Sequence, residues 1–217
     1  MKYQVKAGDT LSALADEFYG DARRFGAISA ANDLANPDYI VVGQQLEIPY
    51  VTFRYQVKLG DTKQQLAQRF YSDPTLSEIF EIPNGAAQRD LNVGEWLLIP
   101  DLAKAGHHTV VAGETLPVLA ERWYGDPSLW TIISIANHLG DGDPAPGTIL
   151  QQPRLNFRRD VVAGDTLWAL TEFVYGQGGD DRTLQLVEVV AGANLIEDPD
   201  VINVGQRLYF PSFDLGD

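Results

Sequence analysis

Three histidines, a scatter of carboxylates and four tryptophans are the side chains from which this 217-residue sequence could build chemistry or recognition. His107 and His108 are adjacent, and adjacent residues on an extended segment point to opposite faces, so they make a poor metal pair; His138 stands apart from both. The sequence has no cysteine, which removes thiol nucleophiles, disulfides and Cys-ligated metal together. No Gly-x-Ser-x-Gly, P-loop or dinucleotide fingerprint occurs, and the glycine-rich GQGGDD at 176–181 joins no strand to a lysine-bearing helix. Asp9, Asp61, Glu114 and Asp165 each follow a glycine at what reads as a helix start, which predicts capping rather than paired glycosidase acids. On these residues the expectation is a protein that is not an enzyme, with no metal and no cofactor.

The recurrence of those acids belongs to a larger repeat. The words VKAGDTLSALADEFYGD, VKLGDTKQQLAQRFYSD, VVAGETLPVLAERWYGD and VVAGDTLWALTEFVYGQ open four blocks, with turn glycines at Gly8, Gly60, Gly113 and Gly164. A tyrosine follows each glycine by 11 residues, at Tyr19, Tyr71, Tyr124 and Tyr175. An asparagine follows the tyrosine by 13 residues in three blocks (Asn32, Asn84, Asn137) and by 19 in the last (Asn194), which places a six-residue insertion there. A second glycine (Gly43, Gly94, Gly147, Gly205) precedes a closing proline (Pro49, Pro100, Pro153, Pro211) by 6 residues in every block.

Within a block the pattern predicts strand, helix, helix, strand. Tyr3 and Val5 alternate into Gly-Asp-Thr, where Asp9 or Thr10 can cap a helix whose apolar residues fall at 11, 14, 15 and 18. Asp73-Pro74 and Asp126-Pro127 read as a cap with proline in the first turn of a second helix. That helix is expected to end near the asparagine, a residue that tolerates left-handed backbone. Gly-Gln-x-Leu-x-Ile-Pro then forms the closing strand. A unit of about 50 residues buries too little surface to be comfortable alone. The connectors YVTFR, DLAKAGHH and RLNFRR carry bulky residues rather than Ser and Gly, so neighbouring units are expected to dock.

Composition narrows the partners. A net charge of −14 repels phosphate backbones and anionic lipid, so nucleic acid is excluded, and half of the excess, −7, lies in residues 157–217. No apolar run reaches the roughly 18 residues of a membrane-spanning helix, so no membrane insertion is expected. The opening MKYQVKAGDT places charges where an apolar signal core would lie. Trp123 and Trp130 align with Phe18 and Phe25 and are expected inside; Trp96 and Trp168 align with Gln45 and Ser12, expected to be exposed, and are interface candidates.

These words resemble the lysin motif, LysM, a β-α-α-β module of wall enzymes, spore proteins, plant receptors and phage tails. The resemblance runs over residues 3–50, 54–101, 108–154 and 160–212. The second block departs from it with Ser72 after the tyrosine and Lys63 in place of leucine, and the third with Glu114 and a shortened loop, DGDPAPG, at 141–147. It implies an α+β fold of four tandem LysM-like units, 1–51, 52–102, 103–156 and 157–217, which docking would set in a rod or arc. Most LysM modules bind N-acetylglucosamine-containing glycans in a shallow groove between the loop after the first strand and the loop before the second. On the first block this sets Gly8, Asp9, Thr10 and Leu11 opposite Pro37, Asp38, Tyr39 and Ile40, residues that turn, capping and core roles also explain. The form with Tyr-Gly-Asp and Asn-Pro-Asp resembles LysM proteins of phage tails and contractile injection systems. The first expectation is therefore a structural adaptor with baseplate or tail proteins as partners, cytoplasmic at synthesis and then held in a particle. The alternative is a peptidoglycan- or chitin-type glycan binder of the cell wall or periplasm. A sensor of small ligands or ions is a third class, for which the residues offer no ligand cluster.

Overall fold

A computed structural model of the protein describes residues 1–139 and 142–213. Asp141, the first residue of the shortened loop, and the last four residues of the chain lie outside them. The described strands pair only as antiparallel twos: β1 (Lys2–Gln4) with β2 (Gln45–Glu47), β3 (Phe53–Gln56) with β4 (Trp96–Ile99), β5 (Asp101–Thr109) with β6 (Ile149–Arg154), and β7 (Phe157–Asp160) with β8 (Arg207–Phe210). Between the strands of each pair lie two helices: α1 (Leu11–Tyr19) and α2 (Phe25–Ala31), α3 (Lys63–Tyr71) and α4 (Glu78–Glu81), α5 (Leu116–Tyr124) and α6 (Trp130–Ala136), α7 (Leu167–Tyr175) and α8 (Asp180–Asn194). The content is α+β, as expected. A two-stranded ribbon is marginal in water, so each is covered by the apolar faces of its helices; in the first segment Leu11, Leu14, Ala15 and Ile28 meet Val5, Leu46 and Ile48.

Local chemistry repeats with the sequence. The threonine hydroxyl caps the first helix every time: Thr10 accepts from the Ala13 amide at 3.1 Å, and Thr62, Thr115 and Thr166 accept from Gln65, Val118 and Ala169. The asparagine works differently from its expected role. Asn32 has φ −116°, and the left-handed residue is the next one, Asp33 at +49°. The Asn32 side chain donates to the carbonyls of Ile28 (2.8 Å) and Glu47 (2.7 Å) and accepts from the Glu47 amide (2.7 Å), which ties the helix end to the closing strand. Asn84, Asn137 and Asn194 make the same three bonds. The Tyr19, Tyr124 and Tyr175 hydroxyls donate to the carbonyls of Pro49, Pro153 and Pro211, which ties the end of the first helix to the closing proline although the spacing between them varies from 29 to 36 residues.

The chain divides into two compact units, Met1–Val51 with Asn156–Asp217, and Thr52–Leu155. In the first unit the expectation of docking on the sequence neighbour is corrected: the first segment docks on the fourth. Helices α2 and α8 cross at Gly26 and Gly192, so closely that a Cβ on Gly192 would lie 2.4 Å from the Ala27 nitrogen. Val189 and Ala193 of α8 complete the first segment's core. Gln185 reaches from α8 to the Ala30 and Ala31 carbonyls and the Asp33 carboxylate. Tyr50 and Ser212 exchange backbone bonds of 2.6 and 3.0 Å. Where the first segment has a 3-10 turn at Ala22–Arg24 and a short helix at Phe25–Ala31, the fourth, which carries the six-residue insertion, has one 15-residue helix. In the second unit, α4 is a single turn followed by Pro83, which cannot donate the next helical bond. Ile82 beside it packs into the core of the third segment, joining the two segments of that unit.

Candidate functional site

Two loops face each other at the strand ends of the first segment, and backbone geometry sets both. Gly8 and Gly43 sit at φ +89° and +88°, and a Cβ at either position would meet nothing within 4 Å, so the left-handed backbone, not crowding, demands glycine. The Gly43 amide donates to the Val5 carbonyl at 2.8 Å and the Val5 amide to the Gln44 carbonyl at 2.9 Å, which holds the loops side by side. Asp9 does not cap the helix. Its carboxylate turns back to accept from the Lys6 amide at 2.7 Å and the Tyr3 hydroxyl at 2.9 Å, closing the turn. Those two bonds hold its carboxyl below the usual range, and the same carboxylate pushes the Tyr3 hydroxyl up. Asp61, Glu114 and Asp165 repeat the bond to the backbone, from Lys58, Val111 and Val162, so the acid recurs as a turn lock.

The eight groove candidates therefore divide by role. Leu11 is 3% exposed in the core, with Ile40 packed against the same cluster; Thr10 caps α1 and Asp9 locks the turn. On the opposite wall Pro37 is half-buried, Asp38 is exposed, and Tyr39 is 70% exposed. Asn36 holds this wall by accepting from the Asp38 amide at 3.0 Å. Beside it lies an open depression lined by Leu34, Ala35, Asn36, Tyr39, Val41 and Gln44, of which only Tyr39 is a candidate from sequence. The signal for the others is the apolar Val41-Val42 placed just before a turn glycine, 51% and 65% exposed. An equivalent depression in the fourth segment is lined by Ile196, Asp198, Val201, Asn203, Val204 and Gln206.

The second and third segments differ at the same place. Lys63, at the position of Leu11, donates to Glu81 at 2.8 Å and to the Ala86 carbonyl at 2.6 Å. In the third segment Asp143 accepts from the Leu116 amide at 2.9 Å. His108 is bonded to Glu114 at 2.6 Å and lies edge-on to Trp123, while Arg122 holds the other Glu114 oxygen at 2.6 Å. The His108 bond first, then the Val111 amide, bring the Glu114 carboxyl down to about 2. His107 is exposed, and His138 is exposed with left-handed backbone, φ +51°. Among the described residues no three His, Cys, Asp or Glu side chains gather as a metal site, and no helix is long and apolar enough to cross a membrane. Trp123 and Trp130 are half-buried against the third segment's core. Trp168, expected to be exposed, is half-buried against the fourth segment's core, and Trp96 is half-buried on β4 opposite Gln56.

A strand, a threonine-capped helix, a second helix and a strand clamped by asparagine make up residues 3–49, and the model of the LysM domain family matches those residues. Residues 3–49 are a LysM domain. Two proteins of Mycobacterium tuberculosis, each named as an esterase, are 47% identical to the chain over 148 residues, 68% of this chain and 31% of theirs. The chain thus spans about a third of the length of these curated relatives. The potassium binding protein Kbp of Escherichia coli is 49% identical over 49 residues, 22% of this chain and 33% of that protein. Among solved structures, the spore cortex-lytic enzyme SleL of Bacillus megaterium is 31% identical over 48% of this chain and 23% of that chain, with a TM-score of 0.26. The expectation of a protein that is not an enzyme is overturned by the two relatives named as esterases. A tail or baseplate role for the LysM domain draws no support from these relatives, and glycan binding is the better-supported reading.

Proposed function

We propose that this protein binds N-acetylglucosamine-containing cell-wall glycan through its LysM fold and thereby holds an ester-hydrolysing activity at its substrate. The observation that carries the reading is the LysM domain at residues 3–49, whose two loops present an exposed aromatic, Tyr39, next to polar loop groups. A flat ring beside hydrogen-bonding groups suits a sugar, which offers an apolar face and a polar rim. The shared threonine cap, turn-locking acid and asparagine clamp support the further reading that all four segments, 1–51, 52–102, 103–156 and 157–217, are LysM units. The relatives named as esterases support the enzymatic part.

The test is co-sedimentation of the full chain with insoluble peptidoglycan, in parallel with turnover of a p-nitrophenyl ester. Retention in the pellet that soluble chitotetraose competes away is expected, with ester turnover above the uncatalysed rate. A chain that stays in the supernatant at all protein concentrations overturns the glycan reading, and turnover no faster than buffer overturns the esterase reading.

A further inference from the structure

The four grooves are not equivalent, and the difference lies in whether a side chain of the protein already spans them. In the second segment Lys63 crosses from the start of α3 to pair with Glu81 at the end of α4 and to donate to the Ala86 carbonyl in the opposite loop. Its charge replaces the leucine that floors the other grooves, and the pair is partly buried, with the Lys63 side chain 19% and the Glu81 side chain 6% exposed. In the third segment Asp143 accepts from the Leu116 amide at the start of α5. Each contact joins the two walls between which a ligand would lie. In the first and fourth segments, among the described residues, no hydrogen bond or ion pair joins 8–12 to 33–42 or 164–168 to 195–204. Both keep leucine, Leu11 and Leu167, at 3% and 1% exposure, and both have the open loop depression.

We propose that glycan recognition is confined to the first and fourth segments, and that Lys63–Glu81 and Asp143 close the grooves of the second and third. This rests on the glycan reading above and adds to it which grooves work and which residues decide it. A ligand entering the second groove would have to displace a half-buried lysine from a buried carboxylate, leaving that carboxylate unpaired. One entering the third would have to compete with a charged acceptor already on the amide, and hydrogen bonds to charged groups are the stronger class. The two open grooves belong to the same compact unit, and their loops line one cleft beside α2 and α8, with Pro37 and Pro199 both on its wall. One oligosaccharide long enough to reach from one loop to the other can engage both, which raises its apparent affinity without a new contact.

The experiment is titration of the 15N-labelled full chain with chitotetraose, read as amide shifts residue by residue, alongside the Asp143→Ala variant. Wild type is expected to shift at 8–12, 33–44, 164–168 and 195–206, and not at 60–64, 86–95 or 113–116. Asp143→Ala is expected to add shifts at 113–116 while leaving the first and fourth segments as they were. Shifts of similar size in all four segments of the wild type overturn the division while the glycan reading stands. An Asp143→Ala chain whose third segment stays silent overturns the closing role of that carboxylate. Silence in every segment overturns the glycan reading and the division with it.

Discussion

Gly192→Ala is the substitution that tests the docking of the first segment on the fourth. The added Cβ would lie 2.4 Å from the Ala27 nitrogen, 2.5 Å from the Gly26 carbonyl carbon and 3.0 Å from the Gly26 Cα, where ordinary contact begins near 3.4 Å. All three atoms are backbone, so no side chain can rotate aside and α2 and α8 must separate by about 1 Å to restore ordinary contact. Overpacking of this kind costs about 1–3 kcal/mol, and the upper end applies because separation also lifts Val189 and Ala193 off the first core. Against it stands the helix preference of alanine over glycine, about 1 kcal/mol, less near a helix end such as this. The net expectation is a loss of about 2 kcal/mol, a fall in Tm of about 8 °C for a unit of this size. Calorimetry measures the fall, and hydrogen exchange locates it: amides of α2 and α8 lose protection while those of α5 and α6 keep theirs. Gly26→Ala, whose Cβ meets only the Gly192 Cα at 3.2 Å, should cost less. A Gly192→Ala chain as stable as wild type, or more so, would refute the close crossing.

Three further outcomes follow from individual contacts. Asn32→Ala removes three hydrogen bonds, two of them joining the end of α2 to Glu47 of β2, and should cost about 2–3 kcal/mol in urea unfolding, with exchange protection lost first at Glu47; a cost below about 0.5 kcal/mol would show the clamp to be idle. Lys63→Leu leaves Glu81 buried without its cation and should destabilise by about 3–5 kcal/mol, whereas Lys63→Leu with Glu81→Leu should recover most of that loss. Equal stability of the single and double variants contradicts the pairing. Glu114 has a folded pKa of about 2, below its unfolded value, so its contribution is present above about pH 4.3 and disappears as pH falls through 2. Comparing acid unfolding of wild type with Glu114→Gln measures it: the variant should be less stable than wild type at about pH 6 and indistinguishable from it below about pH 2.

Much of each segment is legible in the sequence because its determinants are local. A threonine two residues after a glycine finds the amide three residues on, and a glycine with left-handed backbone turns the chain, whatever the rest of the chain does. The acid and the asparagine stand where the repeat places them but act otherwise than local pattern suggests, and for one reason. Asp9 next to a helix looks like a cap, and Asn32 at a helix end looks like a left-handed residue, until the strand that each one contacts, β1 for Asp9 and β2 for Asn32, is in view. The candidate site is legible in part: the glycines, Tyr39 and Pro37 lie on its loops, but the depression beside Val41 depends on how the loop folds over Leu34.

By itself the sequence determined four strand-helix-helix-strand segments and the glycines that turn them, since hydrophobic period, cap and turn chemistry act over fewer than about a dozen residues. Only the tertiary structure decided which segments share a core and which grooves are spanned. Gly26 and Gly192 lie near opposite ends of the chain, and their fit depends on two helix faces meeting, a property of shape that no local pattern encodes. The same holds for Lys63 with Glu81 and Leu116 with Asp143, where a charge or an acceptor gains its meaning from what the fold sets across the groove.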